Sequence, residues 1–536
     1  MQLKLTTLMN IMILFVMCFS FSVSAKTLEN QEAIDGFYLA RDGEALWLKG
    51  TKLNDAGKTL FETLQNSWVH GVNPKSYHSD QIELLIDNKL YGRKKGRDLA
   101  LQLELLLTDG FVRYVRDLSG MRIDPVPLSL NRRDWLQRIS AQDSLKLLSQ
   151  KKYKADEIRE ILDRQEPQTE TYQRLKSALV GLVQEDDHLD PIKVNIGRAR
   201  VMRPGRGYDA IPQLRERLGL SLLEEEQNDR FKYDVALVDA VKLFQEKHGL
   251  KPDGLVGQQT IHALNHGKKE KINQLVVNME RLRWVADEKP DRFIVVNIPS
   301  ARLWAIEHGS VAFTMPVIVG RKKRPTLSFV TKIHGVRFNP TWTVPPTIKK
   351  EDILPKLMEN PAYLADKGME LFDGYGPQAP TLDPETVDWE NISENDLHNL
   401  NMVQVPGAHN PLGRIRVLMP NKHNIYLHDT NNRSLFRREN RAKSSGCVRL
   451  QDPKKVALFA LKNRKHWSPE RMSEVLAAGS LKDVYTNDHT KVFLLYYTAW
   501  LGHEKQIVYG QDIYGYDTAL LAQLQKFDKI PVFEDN

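Results

Sequence analysis

The chain has 536 residues, 41% hydrophobic and 27% charged, with a formal net charge of +8. That length exceeds what one hydrophobic core organises, and the composition is that of folded globular material rather than disorder, so three or four domains are expected. The positive balance suits an anionic neighbour, whereas nuclear targeting and nucleic-acid binding conflict with the export signal that opens the chain.

In chain order, the first element is that signal. Lys4 gives a weakly positive start, Leu8 to Val23 is almost wholly apolar, and Val23-Ser24-Ala25 offers a small-x-small cleavage pattern. Residues 1–25 therefore read as a signal peptide and the mature protein as periplasmic. An inner-membrane anchor is the competing reading, although the apolar run is slightly short for a full span. Phe15-Val16-Met17 ahead of Cys18 lack the small residues that precede a lipid-modified cysteine. Basic clusters at Arg93-Lys94-Lys95, Arg321-Lys322-Lys323-Arg324 and Arg437-Arg438 read first as solvated loops.

Residues 40–200 carry helical spacing and no catalytic constellation. Leu103, Leu106, Leu107, Phe111, Tyr114, Val115 and Leu118 fall on one helix face, and Gly71-Val72-Asn73-Pro74 reads as a turn. A helical scaffold domain is expected. Residues 205–266 change character. Ile211, Leu214, Leu218 and Leu220 predict one short helix, and Ala236 to Phe244 a second, which Gly249 would end. Asp253-Gly254 is a tight turn and Gly257 precedes a third helix. The run Phe244-Gln245-x-x-His248-Gly249-Leu250, then Asp253-Gly254-x-x-Gly257-x-x-Thr260-x-x-Ala263-Leu264, resembles the three-helix peptidoglycan-binding module.

From residue 290 the pattern turns to strands. Phe293–Ile298, Arg302–Ile306 and Ala312–Val319 alternate with turns, and Glu307-His308-Gly309-Ser310 reads as a hairpin. An antiparallel sandwich or barrel is expected, spanning 290–480. Residues 346–402 interrupt it as an inserted lid subdomain with small helices such as Lys349 to Met358. Helical spacing returns over 452–477, and residues 481–536 form a C-terminal extension with a strand at Lys491–Trp500. The fold class is thus multidomain α+β: helical scaffold, three-helix module and a mainly β catalytic domain.

One cysteine remains after the signal, Cys447, in the run Ser444-Ser445-Gly446-Cys447-Val448-Arg449. Exported proteins use cysteine mainly in pairs, so a lone one is either a leftover or a nucleophile. His428 ends a strand-like run nineteen positions upstream. Within hydrogen-bond reach it would take the thiol proton, since a free thiol of pKa ~8.5 is only slightly ionised at neutral pH. Asp429 is adjacent, but consecutive strand side chains point to opposite faces. Its carboxylate would then organise the loop while a backbone carbonyl holds the ring. The Gly446 and Cys447 amides would face a developing oxyanion. Ser444 is a hydrogen-bonding group behind the thiol, and Ser445 flanks it. Arg449 would hold a substrate carboxylate, and Tyr426 shares the histidine's face and would line the pocket. Two proximate soft ligands do not complete a zinc shell, so neither metal nor cofactor is expected.

His428-Asp429-Thr430 with Ser444-x-Gly446-Cys447-x-Arg449 resembles the L,D-transpeptidase (YkuD-type) catalytic signature. Asn339-Pro340-x-Trp342-x-Val344-Pro345 and Pro406-Gly407-x-x-Asn410-Pro411-Leu412-Gly413 also look like family segments, and place Trp342 among the substrate-binding candidates. With scaffold, module and insertion, most of the chain resembles the large YcbB-type branch. Ser445 stands where many members carry histidine. The resemblance implies a Cys447 thioester, 3→3 peptidoglycan cross-links with loss of D-alanine, carbapenem acylation, and stem peptides and glycan as partners. It also implies a monomer that associates with other wall-synthesis proteins. Carboxypeptidase, lipoprotein-attaching, D-amino-acid-exchanging and non-catalytic wall-binding roles stay open, with an ordinary cysteine peptidase ranked below them.

Overall fold

A computed structural model describes residues 28–87, 93–124, 128, 130, 132–185, 192–197, 199–222, 230–248, 250–285, 290–502, 504–526 and 531. The signal segment with Cys18, the side chains of Arg93–Lys95 and the helix end expected at Gly249 lie outside the described residues. The chain divides into two compact units.

The first unit comprises residues up to Trp68 with Asn73–Ser119 and Arg138–Glu166. Its helices include α1 (Gln31–Leu39), α2 (Asp55–Gln65), α3 (Arg93–Leu118) and α4 (Ala155–Asp163), with a two-stranded ribbon of β1 (Leu48–Lys49) and β2 (Lys52–Leu53). The face that sequence spacing predicts on α3 is the buried one: Leu103, Leu107, Phe111, Tyr114, Val115 and Leu118 all lie in the core. Gly110 lets α3 approach its neighbours, because a Cβ there would sit 2.7 Å from Leu64 and 2.9 Å from the Tyr77 carbonyl.

The second unit comprises Val69–Val72, Gly120–Gln137 and everything from Pro167 onward. After α5 (Glu170–Gln184) it contains the three-helix module: α6 (Ile211–Arg217), α7 (Val235–Lys247) and α8 (Gln258–Asn265). The registered motif residues have a structural reason to recur together. The Gln245 side chain donates to Leu255 O (2.8 Å) and Thr260 Oγ1 (3.1 Å) and accepts the Gly254 N–H (2.9 Å). Gly254 makes the turn at φ +69°. The module's core extends before residue 205, taking in Val194 and Met202, because Met202 bridges Val256 and Asn265 clasps Val194 through both its amide groups. Helix α9 (Lys268–Arg283) follows and is largely buried.

The third part of this unit is one long mixed sheet. In chain order its strands are β3 (Arg292–Asn297), β4 (Arg302–Glu307), β5 (Ser310–Gly320), β6 (Phe329–Lys332), β7 (Gly335–Phe338), β12 (Ile415–Leu418), β13 (Leu427–His428), β14 (Ala442–Ser444), β15 (Val448–Leu450), β16 (Lys482–Tyr485) and β17 (Lys491–Leu495). Their spatial order is β16-β7-β12-β13-β15-β5-β4-β3-β17-β6, with β14 beside β5. Most neighbours are antiparallel, as expected, and the β3–β4 and β4–β5 hairpins sit where the alternation predicts. Three pairs are parallel instead: β13–β15, β17–β3 and β14–β5. Strands β16 and β17 carry the sheet into residues expected as a C-terminal extension, since their valines and leucines complete the core formed by Val336, Phe338, Ile415, Val417 and Leu427. Helices α10 (Pro453–Ala460) and α11 (Pro469–Ala477) cover that core through Val456, Ala457, Met472 and Leu476.

The inserted segment forms its own small sheet, ordered β10 (Thr381–Leu382), β9 (Met369–Asp373), β11 (Leu400–Gln404), β8 (Trp342–Thr343). The helix expected from Lys349 is present, with a π turn over Lys349–Ile353. Lys349 is buried and donates to the Leu397 carbonyl at 2.7 Å and also to those of His398 and Leu400. It ties the helix to the end of the insertion.

Candidate active site

The site is built where β13 and β15 run side by side. Their parallel pairing sets Leu427 against Val448 and His428 against Arg449, and the Val448 N–H donates to Tyr426 O at 3.0 Å. Side chains alternate along a strand. Leu427, Val448 and Leu450 therefore enter the core, and Tyr426, His428, Cys447 and Arg449 share the other face. Neighbouring strands extend that face: Arg416 pairs with His428, Arg337 with Arg416, and Asp483 with Arg337. A single row, Asp483–Arg337–Arg416–His428–Arg449, crosses five strands.

Cys447 stands just before β15, at the end of a tight turn. Gly446 makes the turn at φ +115°, a conformation that strains any side-chain-bearing residue. Ser444 Oγ donates to Cys447 O at 2.6 Å and accepts the Gly446 N–H at 3.2 Å. Thr326 Oγ1 donates to Gly446 O at 2.7 Å and accepts the Gly320 N–H. The loop is thus held from both sides. The Gly446 amide, expected to face an oxyanion, is engaged by Ser444 instead, because the turn folds back on its own serine. The Cys447 amide is the other member of the expected pair.

The thiol rests against the chain just ahead of β13. Cys447 Sγ donates to Asn424 O at 3.6 Å, and Asn424 holds a left-handed φ of +53°, which asparagine tolerates. Tyr426 offers its backbone N–H and its hydroxyl to the sulfur. Burial nevertheless pushes the thiol pKa up, against those donors and the Arg416 and Arg449 charges. His428 is only 4% exposed. Burial first, then the Arg449 and Arg416 charges, pulls its pKa down to about 3, while the Asp429 and Leu412 backbone favours the charged ring. His428 Nδ1 is buried without a hydrogen-bond partner. The thiol's hydrogen bond goes to Asn424, not to the imidazole, and the Tyr426 and His428 ring centroids are 5.7 Å apart. Burial thus favours the uncharged form of both the thiol and the imidazole.

The remaining candidates fall into three settings. The Asp429 carboxylate turns to the loop, accepting from Arg433 Nη2 at 2.8 Å and from the Arg414 N–H at 2.9 Å. Gly413 permits this, since a Cβ there would sit 2.4 Å from the Asp429 carboxyl carbon. Asn410 and Asn339 brace the same region. Asn410 Nδ2 donates to Pro340 O (2.9 Å), and Asn339 Nδ2 to Val475 O (2.9 Å) and Ser480 O (3.0 Å). Ser445 is exposed and accepts from Arg324 Nη1 at 3.2 Å. The same guanidinium binds Asp352 at 2.6 Å and Glu351, both in the insertion's π turn. Trp342 does not join the row around His428: it lies on β8, paired with β11, and packs against the insertion's own core.

Sequence reading missed Arg416, Asn424, Arg324 and Thr326. The alternation Ile415-Arg416-Val417 marks the face of Arg416, but only the cross-strand register sets it beside His428.

Residues 291–467 match the YkuD family, the L,D-transpeptidase catalytic domain. The chain carries an L,D-transpeptidase catalytic domain. Residues 32–179 match the scaffold domain family, and residues 216–264 match the family described as "Putative peptidoglycan binding domain". A Haemophilus influenzae protein named "Putative L,D-transpeptidase" is 34% identical over 299 residues, covering 55% of this chain and 59% of that relative. The chain therefore spans a little over half the length of that relative. Among solved structures, an L,D-transpeptidase from Stackebrandtia nassauensis is 13% identical, covering 55% of this chain and 94% of its own, with a TM-score of 0.20. An L,D-transpeptidase fragment from Xylanimonas cellulosilytica is 14% identical, covering 56% and 100%, with a TM-score of 0.15. The signature residues Ser444, Gly446, Cys447 and Arg449 lie within the matched span, and His428 pairs with Arg449 in the sheet.

Proposed function

We propose that this protein is a periplasmic cysteine L,D-transpeptidase that makes 3→3 peptidoglycan cross-links. The observation that carries the reading is the one cysteine among the described residues, set on a clasped glycine turn beside a buried histidine and two arginines, within an L,D-transpeptidase domain. Once a donor stem is bound, the thiol turns from Asn424 O toward His428, which takes its proton. The Cys447 sulfur attacks the carbonyl joining diaminopimelate to the terminal D-alanine, and the Cys447 amide stabilises the oxyanion. The C–N bond breaks, His428 returns its proton to the leaving D-alanine amine, and a thioester remains. An amine of a neighbouring stem then attacks the thioester, and the thiolate leaves and is reprotonated.

In this reading Arg449 holds a substrate carboxylate, Tyr426 lines the thiol's pocket, and Ser444 and Gly446 fix the nucleophile's turn. Asp429 organises the loop through Arg414 and Arg433 and acts on catalysis only through His428. The insertion covers the thioester, and Arg324 ties it down. The three-helix module holds glycan, and carbapenems acylate Cys447. Among the described residues no helix is long and apolar enough to cross a membrane. Digesting wall from a strain overexpressing the protein should reveal 3→3 dimers that vanish with Cys447→Ala. Dimers unchanged by that substitution would sink the reading. D-alanine release without dimers would make the enzyme a carboxypeptidase.

A further inference from the structure

Cross-strand register puts two guanidiniums on either side of His428: Arg416 on β12 and Arg449 on β15. Both are half-buried, and the Nε of each is buried without a hydrogen-bond partner. Among the described residues no carboxylate lies in ion-pair contact with either. The nearest acid in the row, Asp483, is already held by Arg337 through two hydrogen bonds of 2.7 and 2.8 Å. Asp483 feels the Arg416 charge at longer range, but two cations that flank one imidazole in a partly desolvated face, with no carboxylate in contact, repel one another. A surface that keeps such a pair suits an anionic ligand.

Its place relative to the thiol says which anion fits. The Arg416 guanidinium carbon stacks 4.0 Å above the centre of the Tyr426 ring, and the Tyr426 hydroxyl and amide reach Cys447 Sγ. Arg449 is two residues from Cys447 on the same strand face. The two cations and the nucleophile therefore share one small patch. The donor stem ends in a D-amino acid whose carboxylate is two bonds beyond the scissile nitrogen, and so only a few ångströms from the carbon that sulfur attacks. A planar carboxylate matches the guanidinium fork.

We propose that Arg416 is the second arm, with Arg449, of a carboxylate-binding site that seats the donor's terminal carboxylate beside Cys447. This rests on the acyl-transfer reading above and adds to it a residue and a substrate requirement: a donor with a free terminal carboxylate. Filling the site neutralises the charges that flank His428, so donor binding and the readiness of the base are linked. Proton transfer from the thiol to His428 is then favoured when a donor carboxylate is in place.

The test uses the full-length protein and two small alkylating agents of the same size, iodoacetate and iodoacetamide, whose reaction with Cys447 needs no transpeptidation. The quantity read is the iodoacetate-to-iodoacetamide rate ratio, normalised to that of glutathione. The wild type should exceed glutathione by about tenfold. Arg416→Gln should lose most of that excess in the ratio, and Arg416→Lys should keep part of it. In donor turnover, Arg416→Gln should raise KM for a tetrapeptide with a free terminal carboxylate and leave KM for its terminal amide unchanged. A wild-type ratio equal to that of glutathione, a thiol unreactive to both reagents in the folded protein, or equal slowing of both by Arg416→Gln would each overturn the proposal. Should the wild type show the preference yet make no 3→3 dimers, the carboxylate site stands and the cross-linking reading falls.

Discussion

In the proposed mechanism His428 takes and returns the thiol proton, and its burial has a consequence for stability. Its folded pKa of about 3 lies well below the ordinary histidine value near 6.5. Between those values the unfolded chain binds a proton that the folded chain refuses. The stabilisation from keeping the ring neutral is complete above about pH 6.5 and is lost as the pH falls toward 3, at up to about 1.4 kcal/mol per pH unit for one such site. His428→Gln should flatten the fall of the melting temperature between pH 6.5 and 4, measured by calorimetry. An unchanged slope would show that other groups set the acid limit. At this scale the sequence was informative where the chemistry is local. Cys447, Gly446, Ser444 and Arg449 lie within six residues, and the structure sets them in one clasped turn and the strand that follows. What spacing could not disclose is non-local. The thiol's bond to Asn424 follows from the left-handed turn ahead of β13, and the Gly446 amide's bond to Ser444 from the way the loop doubles back.

At the level of elements, the alternation of apolar residues located the hairpins of β3, β4 and β5, and the apolar spacing located the long helix α3. The parallel pairings were hidden, because a strand of two or three residues such as β13 carries too little pattern to declare its partner. The insertion is the element whose attachment is most instructive. Arg324 has a side chain only 9% exposed, and it bridges Glu351 and Asp352 of the π turn to Ser445, two residues before Cys447. The two acids are 58% and 41% exposed, which discounts the ion pairs to roughly 1 kcal/mol in total. That is about a fivefold change in how often the insertion is tied down. Arg324→Gln should raise hydrolysis relative to cross-linking severalfold, read as the ratio of tripeptide to 3→3 dimer, and leave alkylation of Cys447 by iodoacetamide unchanged. An unaltered ratio would make the insertion decoration.

For the whole second unit, the question is how the three-helix module relates to the bond that is made. Its sequence holds no cysteine, and its core is its own, running from Val194 to Leu264. It nonetheless touches the rest of the unit: Glu439, on the loop between His428 and Cys447, accepts the Gln259 N–H at 2.9 Å at the start of α8, and Gln511 Nε2 donates to Gln258 O at 3.0 Å. Gly257 leaves room for that carboxylate, which a Cβ would meet at 2.5 Å. The expected boundary at residue 205 would cut through the core, whereas Val194 and Asn265 are clasped and mark the natural ends. Excising residues 194–265 should reduce co-sedimentation with purified wall by an order of magnitude, while acylation of Cys447 by a small β-lactam persists within about threefold. Abolished acylation in an excised protein that still shows native circular dichroism would make the module part of the active site.

The central claim is that Cys447 carries the stem as a thioester. The most direct measurement is the intact mass of the purified protein after brief mixing with a disaccharide-tetrapeptide donor and no acceptor. The account predicts an adduct equal to the donor less D-alanine, located on Cys447 by peptide mapping, absent from Cys447→Ala and discharged into a 3→3 dimer when an acceptor stem is added. No adduct at any time, with D-alanine still released, would contradict it.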